Sequence, residues 1–81
     1  MAKIEYFFRV KYIEDFLRQR KEKGASFKEI YEYLEAHFEQ IDRELKFCEH
    51  TFQRDKNIIR EVSGLEISYD KGRNIYFIDK E

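Results

Sequence analysis

Between Tyr6 and Leu17 the apolar side chains fall on two adjoining stripes, Tyr6/Val10/Ile13/Leu17 and Phe8/Tyr12/Phe16, each at helical spacing. So wide an apolar face exceeds what one small core needs. One stripe is expected inside; the other either meets a second subunit or a further domain, or is wrapped by neighbouring elements. Residues 18–23 are a charged helix end whose cations suit the negative pole of the helix dipole, and Gly24 supplies the stop. Ser26 and Glu29 then have the spacing of a capping box, which starts a second helix. Phe27, Ile30, Leu34, Phe38 and Ile41 trace its buried stripe and leave Glu32, Glu35 and Glu39 in solvent. From Gln40 to Phe47 the pattern loosens into a helix end and a turn, with Leu45 and Phe47 as apolar plugs.

A third helix is expected over residues 49–63, ending before Gly64, whose missing side chain suits a left-handed cap. Wound at about 100° per residue, Phe52, Ile59 and Val62 gather on one side of it, while His50, Gln53, Asn57 and Arg60 gather on the other. Two β-prone runs follow, Leu65-Glu66-Ile67-Ser68-Tyr69 and Ile75-Tyr76-Phe77-Ile78. They are joined by the turn chemistry of Asp70-Lys71-Gly72-Arg73-Asn74, so a hairpin is expected over residues 65–78. The predicted fold is α+β: three helices followed by a two-stranded antiparallel β-hairpin, the order of a winged helix-turn-helix.

Length and composition narrow the class. Eighty-one residues make a single domain, and eight Phe and six Tyr give a domain this small the large apolar groups its core requires. Charged residues at 41% keep its surface wet. The net charge of -1 argues against a chain that coats nucleic acid through bulk positive charge. Residues 1–25 carry +3, residues 26–49 carry -4, and the remainder balances. A phosphate-binding surface must therefore be assembled locally from both ends of the chain, with the acidic middle turned away.

Cys48 is the one cysteine, and there is no apolar run of the ~18 residues a membrane span needs. Glu5 interrupts the stretch where a secretory signal would be apolar, so a cytoplasmic location is the expectation. Cys48, His50 and His37 have neither a metal-ligand spacing nor the arrangement of a nucleophile with its base, so no enzyme activity, metal or cofactor is expected. The carboxylates along the second helix lie on a solvated face, without the burial that would split their pKa values.

Ser26-Phe27-x-Glu29-Ile30-x-x-Tyr33-Leu34, Thr51-Phe52-Gln53-Arg54-Asp55, Gly64-Leu65-Glu66-Ile67-x-Tyr69-Asp70 and Tyr76-x-Ile78 together resemble the N-terminal winged-helix module of WYL-domain transcriptional regulators. The resemblance runs from about Phe8 to Ile78, and its most specific part is the Thr-Phe-Gln-Arg-Asp run at a fixed distance before the hairpin. It implies binding to double-stranded promoter DNA, and a larger effector-sensing domain following the module in the longer protein. The family commonly has Ser where Cys48 stands and Arg where His50 stands. The first change weakens a helix cap, and the second removes a permanent cation from the groove-facing end.

On this reading, the residues facing DNA are His50, Thr51, Gln53, Arg54 and Asn57 in the first turns of the third helix. Gln53 and Asn57 can pair bidentately with adenine, Arg54 can meet a phosphate or read guanine, with the phosphate favoured, and the Thr51 hydroxyl can donate to the duplex backbone. Lys71 and Arg73 at the hairpin tip can reach phosphates or a minor groove, and Ser26 and Lys28 at the start of the second helix form an anion site. Phe52 is structural. So is Asp55, which the helical wheel places among core residues, where its carboxylate needs backbone N–H groups or a cation from a neighbouring element. A homodimer would double such contacts. The alternative is a winged-helix module that binds protein and not DNA.

Overall fold

The structure is a computed structural model that describes residues 3–80, with side chains for residues 6–79; residues 1, 2 and 81 lie outside the described set. Helix α1 (Lys3–Arg20) runs through a single 3-10 turn (Lys21–Lys23) to helix α2 (Phe27–Gln40). Helix α3 (Glu49–Ser63) precedes strands β1 (Glu66–Asp70) and β2 (Ile75–Lys80). The strands pair antiparallel, with Tyr69 opposite Tyr76 and Ile67 opposite Ile78. This is the α+β winged-helix arrangement that the residue pattern predicts.

Ile13 and Leu17 of α1, Ile30, Leu34 and Phe38 of α2, Phe52 and Ile59 of α3, and Leu65 form one buried cluster. Both apolar stripes of α1 are used, except at Tyr6, which begins the first stripe and is exposed. Phe8, Tyr12 and Phe16 are half-buried against that cluster, because α2 lays a row of rings beside them. Phe16 stacks on Tyr33 at 4.3 Å, Tyr33 on His37 at 4.1 Å, and His37 lies 5.0 Å from Tyr12. Aromatic pairs at these separations add to the stability that burial alone provides. Phe7, on neither stripe, is 59% exposed.

Helix α2 begins with the predicted capping box: the Glu29 amide donates to Ser26 Oγ at 3.1 Å, and the Ser26 amide donates to Glu29 Oε1 at 3.0 Å. Gly64, at φ 70°, is the left-handed cap of α3. One expectation fails. Val62, placed by the helical wheel with Phe52 and Ile59, is 78% exposed. Helix α1 crosses α3 obliquely, meeting Asp55 through Arg9 and Ser63 through Glu14. The line of contact therefore moves around α3 along its length and leaves Val62 uncovered in the last turn.

A single β-bridge ties the α1–α2 connection to the hairpin. The Ala25 amide donates to the Tyr76 carbonyl at 2.8 Å, and the Tyr76 amide donates back to Ala25 at 2.7 Å, so the α1–α2 connection is sewn to β2. Gly24 makes this approach feasible. Its φ is 61°, and a Cβ there would lie 2.3 Å from the Tyr76 carbonyl oxygen. Gly24→Ala should cost about 2–3 kcal/mol through combined backbone strain and overlap. Urea unfolding measures it, and an unchanged midpoint would contradict this role for the bridge.

Candidate nucleic-acid interface

Phe52, fully buried in the first turns of α3, is where the segments around α3 converge. Its ring lies 6.0 Å from Phe27 in the first turn of α2, 5.8 Å from Phe47 in the turn, and 4.6 Å from Tyr76 of β2, edge to face. Phe27 and Phe47 also stack on each other at 5.2 Å. Burying a ring of this size stabilises by roughly 2–3 kcal/mol. The same contacts bring the start of α2, the first turns of α3 and the distal part of the hairpin to one end of the molecule.

Asp55 is fully buried one turn later. Arg9 of α1 grips it with two parallel bonds, Nε to Oδ2 at 2.5 Å and Nη2 to Oδ1 at 3.1 Å. Arg9 Nη1 also donates to the Lys46 carbonyl at 3.5 Å, which ties the turn before α3 to the same cation. The partner is thus a cation on a neighbouring element, as the wheel position of Asp55 requires. Burial pushes the Asp55 carboxyl above its ordinary pKa, and Arg9 opposes that shift.

With Phe52, Asp55 and Ile59 turned inward, α3 shows solvent the opposite face. His50, Gln53, Arg54, Asn57 and Arg60 are exposed. Gln53 is exposed; burial, chiefly, pushes the Tyr76 phenol up, and Gln53 opposes that shift. A groove between α3 and β1 is lined by Gln53, Lys56, Asn57 and Arg60 of the helix and by Glu66, Ile67 and Ser68 of the strand. Lys56 was not foreseen here. Its ammonium lies 5.0 Å from the Tyr76 ring and 5.6 Å from Phe52, and burial pulls its pKa down.

Thr51 is half-buried, and its hydroxyl lies 3.3 Å from the Cys48 thiol. Cys48 occupies the cap position of α3 without a side-chain bond to the backbone of the first turn. The Thr51 hydroxyl, chiefly, holds its thiol below the usual range. Ser26 spends its amide and one hydroxyl lone pair on the capping box, so toward an anion it offers its hydroxyl proton, alongside the exposed Lys28.

Lys71 and Arg73 are exposed at the hairpin tip. Asp70 Oδ1 accepts from the Arg73 amide at 3.3 Å, and the Tyr69 hydroxyl donates to Asn74 Oδ1 at 2.5 Å. The left-handed residue of the turn is Asn74, at φ 56°. Arg73 also reaches the Lys23 carbonyl at 3.4 Å.

Among the described residues no group of three or more His, Cys, Asp or Glu side chains is placed to hold a metal, and no helix is long and apolar enough to cross a membrane. Comparison with family models, curated proteins and solved structures found no match.

The Arg9–Asp55 pair yields a pH signature. With its folded pKa above the unfolded value, Asp55 takes up a proton in the folded chain first as pH falls. Its contribution to stability is therefore greatest in acid and declines as pH rises through the folded value. Arg9→Met removes the opposing pull, so its cost should be about 3–5 kcal/mol near neutrality and shrink on acidification. Chemical denaturation of both proteins across that range measures it. A difference that is constant or grows in acid would contradict the placement of the pair.

Proposed function

We propose that this chain is a double-stranded DNA-binding module of a bacterial-type transcription regulator. Helix α3 enters the major groove and the hairpin acts as the wing. It works in the cytoplasm as a binding unit and not as an enzyme, and an effector-sensing domain belongs to the longer protein. One observation carries the reading: the Phe52 ring cluster gathers Ser26 and Lys28, the exposed amides and cations of α3, and the hairpin bearing Lys71 and Arg73 at a single end. A duplex needs that combination, since base edges are read by amides and arginines and the flanking phosphates are held by cations and hydroxyls.

Within this assignment Gln53 and Asn57 read bases, and Arg54, Lys71 and Arg73 hold phosphates. Lys28, Ser26, Thr51 and His50 contact the backbone at the edges of the footprint. The exposed Phe7 and Val62 favour a second reading, in which apolar contacts bind a protein or a second copy of the chain. Salt separates the two. Each phosphate contact should steepen the dependence of log affinity on log salt by about 0.9, whereas an apolar protein contact is nearly indifferent to salt.

Fluorescence anisotropy with duplex DNA at low and moderate salt provides the test. Affinity should fall steeply with salt, and Arg54→Ala and Lys71→Ala should each flatten the slope by about one contact. Negligible binding by the wild-type chain at low salt would refute the proposal.

A further inference from the structure

Lys56 has no part in the assignment above, yet it lines the same groove as Gln53, Asn57 and Arg60. It is half-buried, and its ammonium rests 5.0 Å from the Tyr76 ring and 5.6 Å from the Phe52 ring. Among the described residues no carboxylate forms an ion pair with it. Glu66, the acid that lines the groove, stands toward its other end: it is three residues along β1 from Tyr69, the cross-strand partner of Tyr76, or about 10 Å away. Glu49 raises the Tyr76 phenol electrostatically, but it precedes Lys56 by seven residues, about 10 Å along the helix. A cation drawn partly out of water without a counterion is costly, and burial lowers the Lys56 pKa accordingly.

The helical arrangement says what could supply the missing charge. At about 100° per residue, His50, Gln53, Asn57 and Arg60 span the outward face of α3, and its centre runs between Gln53 and Asn57. Arg54 lies about 80° to one side of that centre and Lys56 about 80° to the other. The amides are therefore bracketed by two cations. A helix seated in a major groove has base edges before it and a phosphate strand along each flank. Arg54 serves the flank away from the hairpin; Lys56 serves the flank beside it, where Tyr76 and Phe52 support its stem.

We propose that Lys56 binds a backbone phosphate on the wing-side wall of the major groove, so that α3 is held by both strands of the duplex, through Arg54 on one flank and Lys56 on the other. This rests on the DNA-binding reading above and adds to it a contact that the residue pattern does not announce. The rings beneath Lys56 settle its stem in advance, so less side-chain freedom is lost when a phosphate docks. The contact senses charge and not base identity, since an ammonium is a compact point charge without the planar fork of a guanidinium.

The test is the salt dependence of duplex binding, by fluorescence anisotropy, for wild type, Lys56→Met, Lys56→Gln, Lys56→Arg and the control Lys11→Gln, which removes an equal charge from an exposed position on α1. Lys56→Met and Lys56→Gln should each reduce the slope of log affinity against log salt by about 0.9 and weaken binding alike for unrelated sequences; Lys56→Arg and the control should keep the wild-type slope. Lys56→Met keeps an apolar stem over the rings, so it should melt close to wild type, the lost ring attraction being offset by relief of the desolvated charge. A marked fall in melting temperature with an unchanged slope would make Lys56 a structural cation and overturn the contact. Wild-type slopes in both Lys56→Met and Lys56→Gln likewise overturn it and leave the DNA-binding reading standing. An absence of wild-type binding overturns both.

Discussion

The burial of Phe52 is the constraint on which the rest depends. A single ring in the first turns of α3 touches the start of α2, the turn before α3 and the hairpin, so these segments cannot be placed independently. Because the ring must stay dry, the opposite face of the same helix must be wet, and that face carries Gln53, Asn57 and Arg60. The chemistry of the surface is in this sense a by-product of core packing. Truncating a ring so placed costs about 3–5 kcal/mol in a well-packed core, and here the loss would fall on the contacts that hold α2, α3 and the hairpin together.

The Arg9–Asp55 pair performs a different task. An ion pair out of water is poor evidence of stability, since desolvation cancels much of the attraction and well-packed apolar replacements can do as well. It does impose geometry. Two parallel bonds and a third to the Lys46 carbonyl hold α1, the turn and α3 in one register, which an apolar contact of equal size would leave freer to slide. Packing by Phe52 and pairing by Asp55 thus restrain adjacent turns of α3, one against the hairpin and the other against α1.

Much of this was legible in the residues. Helical spacing located all three helices, Ser26 with Glu29 announced a real capping box, and Gly64 marked a left-handed stop. Asp55 on an apolar stripe announced a buried carboxylate and the need for a partner. Arg9 itself went unread, although it lies four residues before Ile13 on the inward side of α1 and could have been matched to Asp55. Val62 was misread because a helical wheel assumes a straight line of contact, and crossing helices do not keep one. The Ala25–Tyr76 bridge had almost no sequence signal, as a single bridged residue has no periodicity; Gly24 hinted only at a stop. Lys56 was hidden for another reason, since a lysine laid across two rings looks in sequence like any solvated cation.

The most direct measurement of the central claim is a residue-by-residue map of backbone amide shifts as duplex DNA is added to the labelled domain. The account predicts perturbations concentrated at the start of α2, along the exposed face of α3 and at the hairpin tip, with the acidic face of Glu32, Glu35 and Glu39 silent. Perturbations centred on that acidic face or on the exposed end of α1 around Phe7, with α3 unmoved, would contradict it.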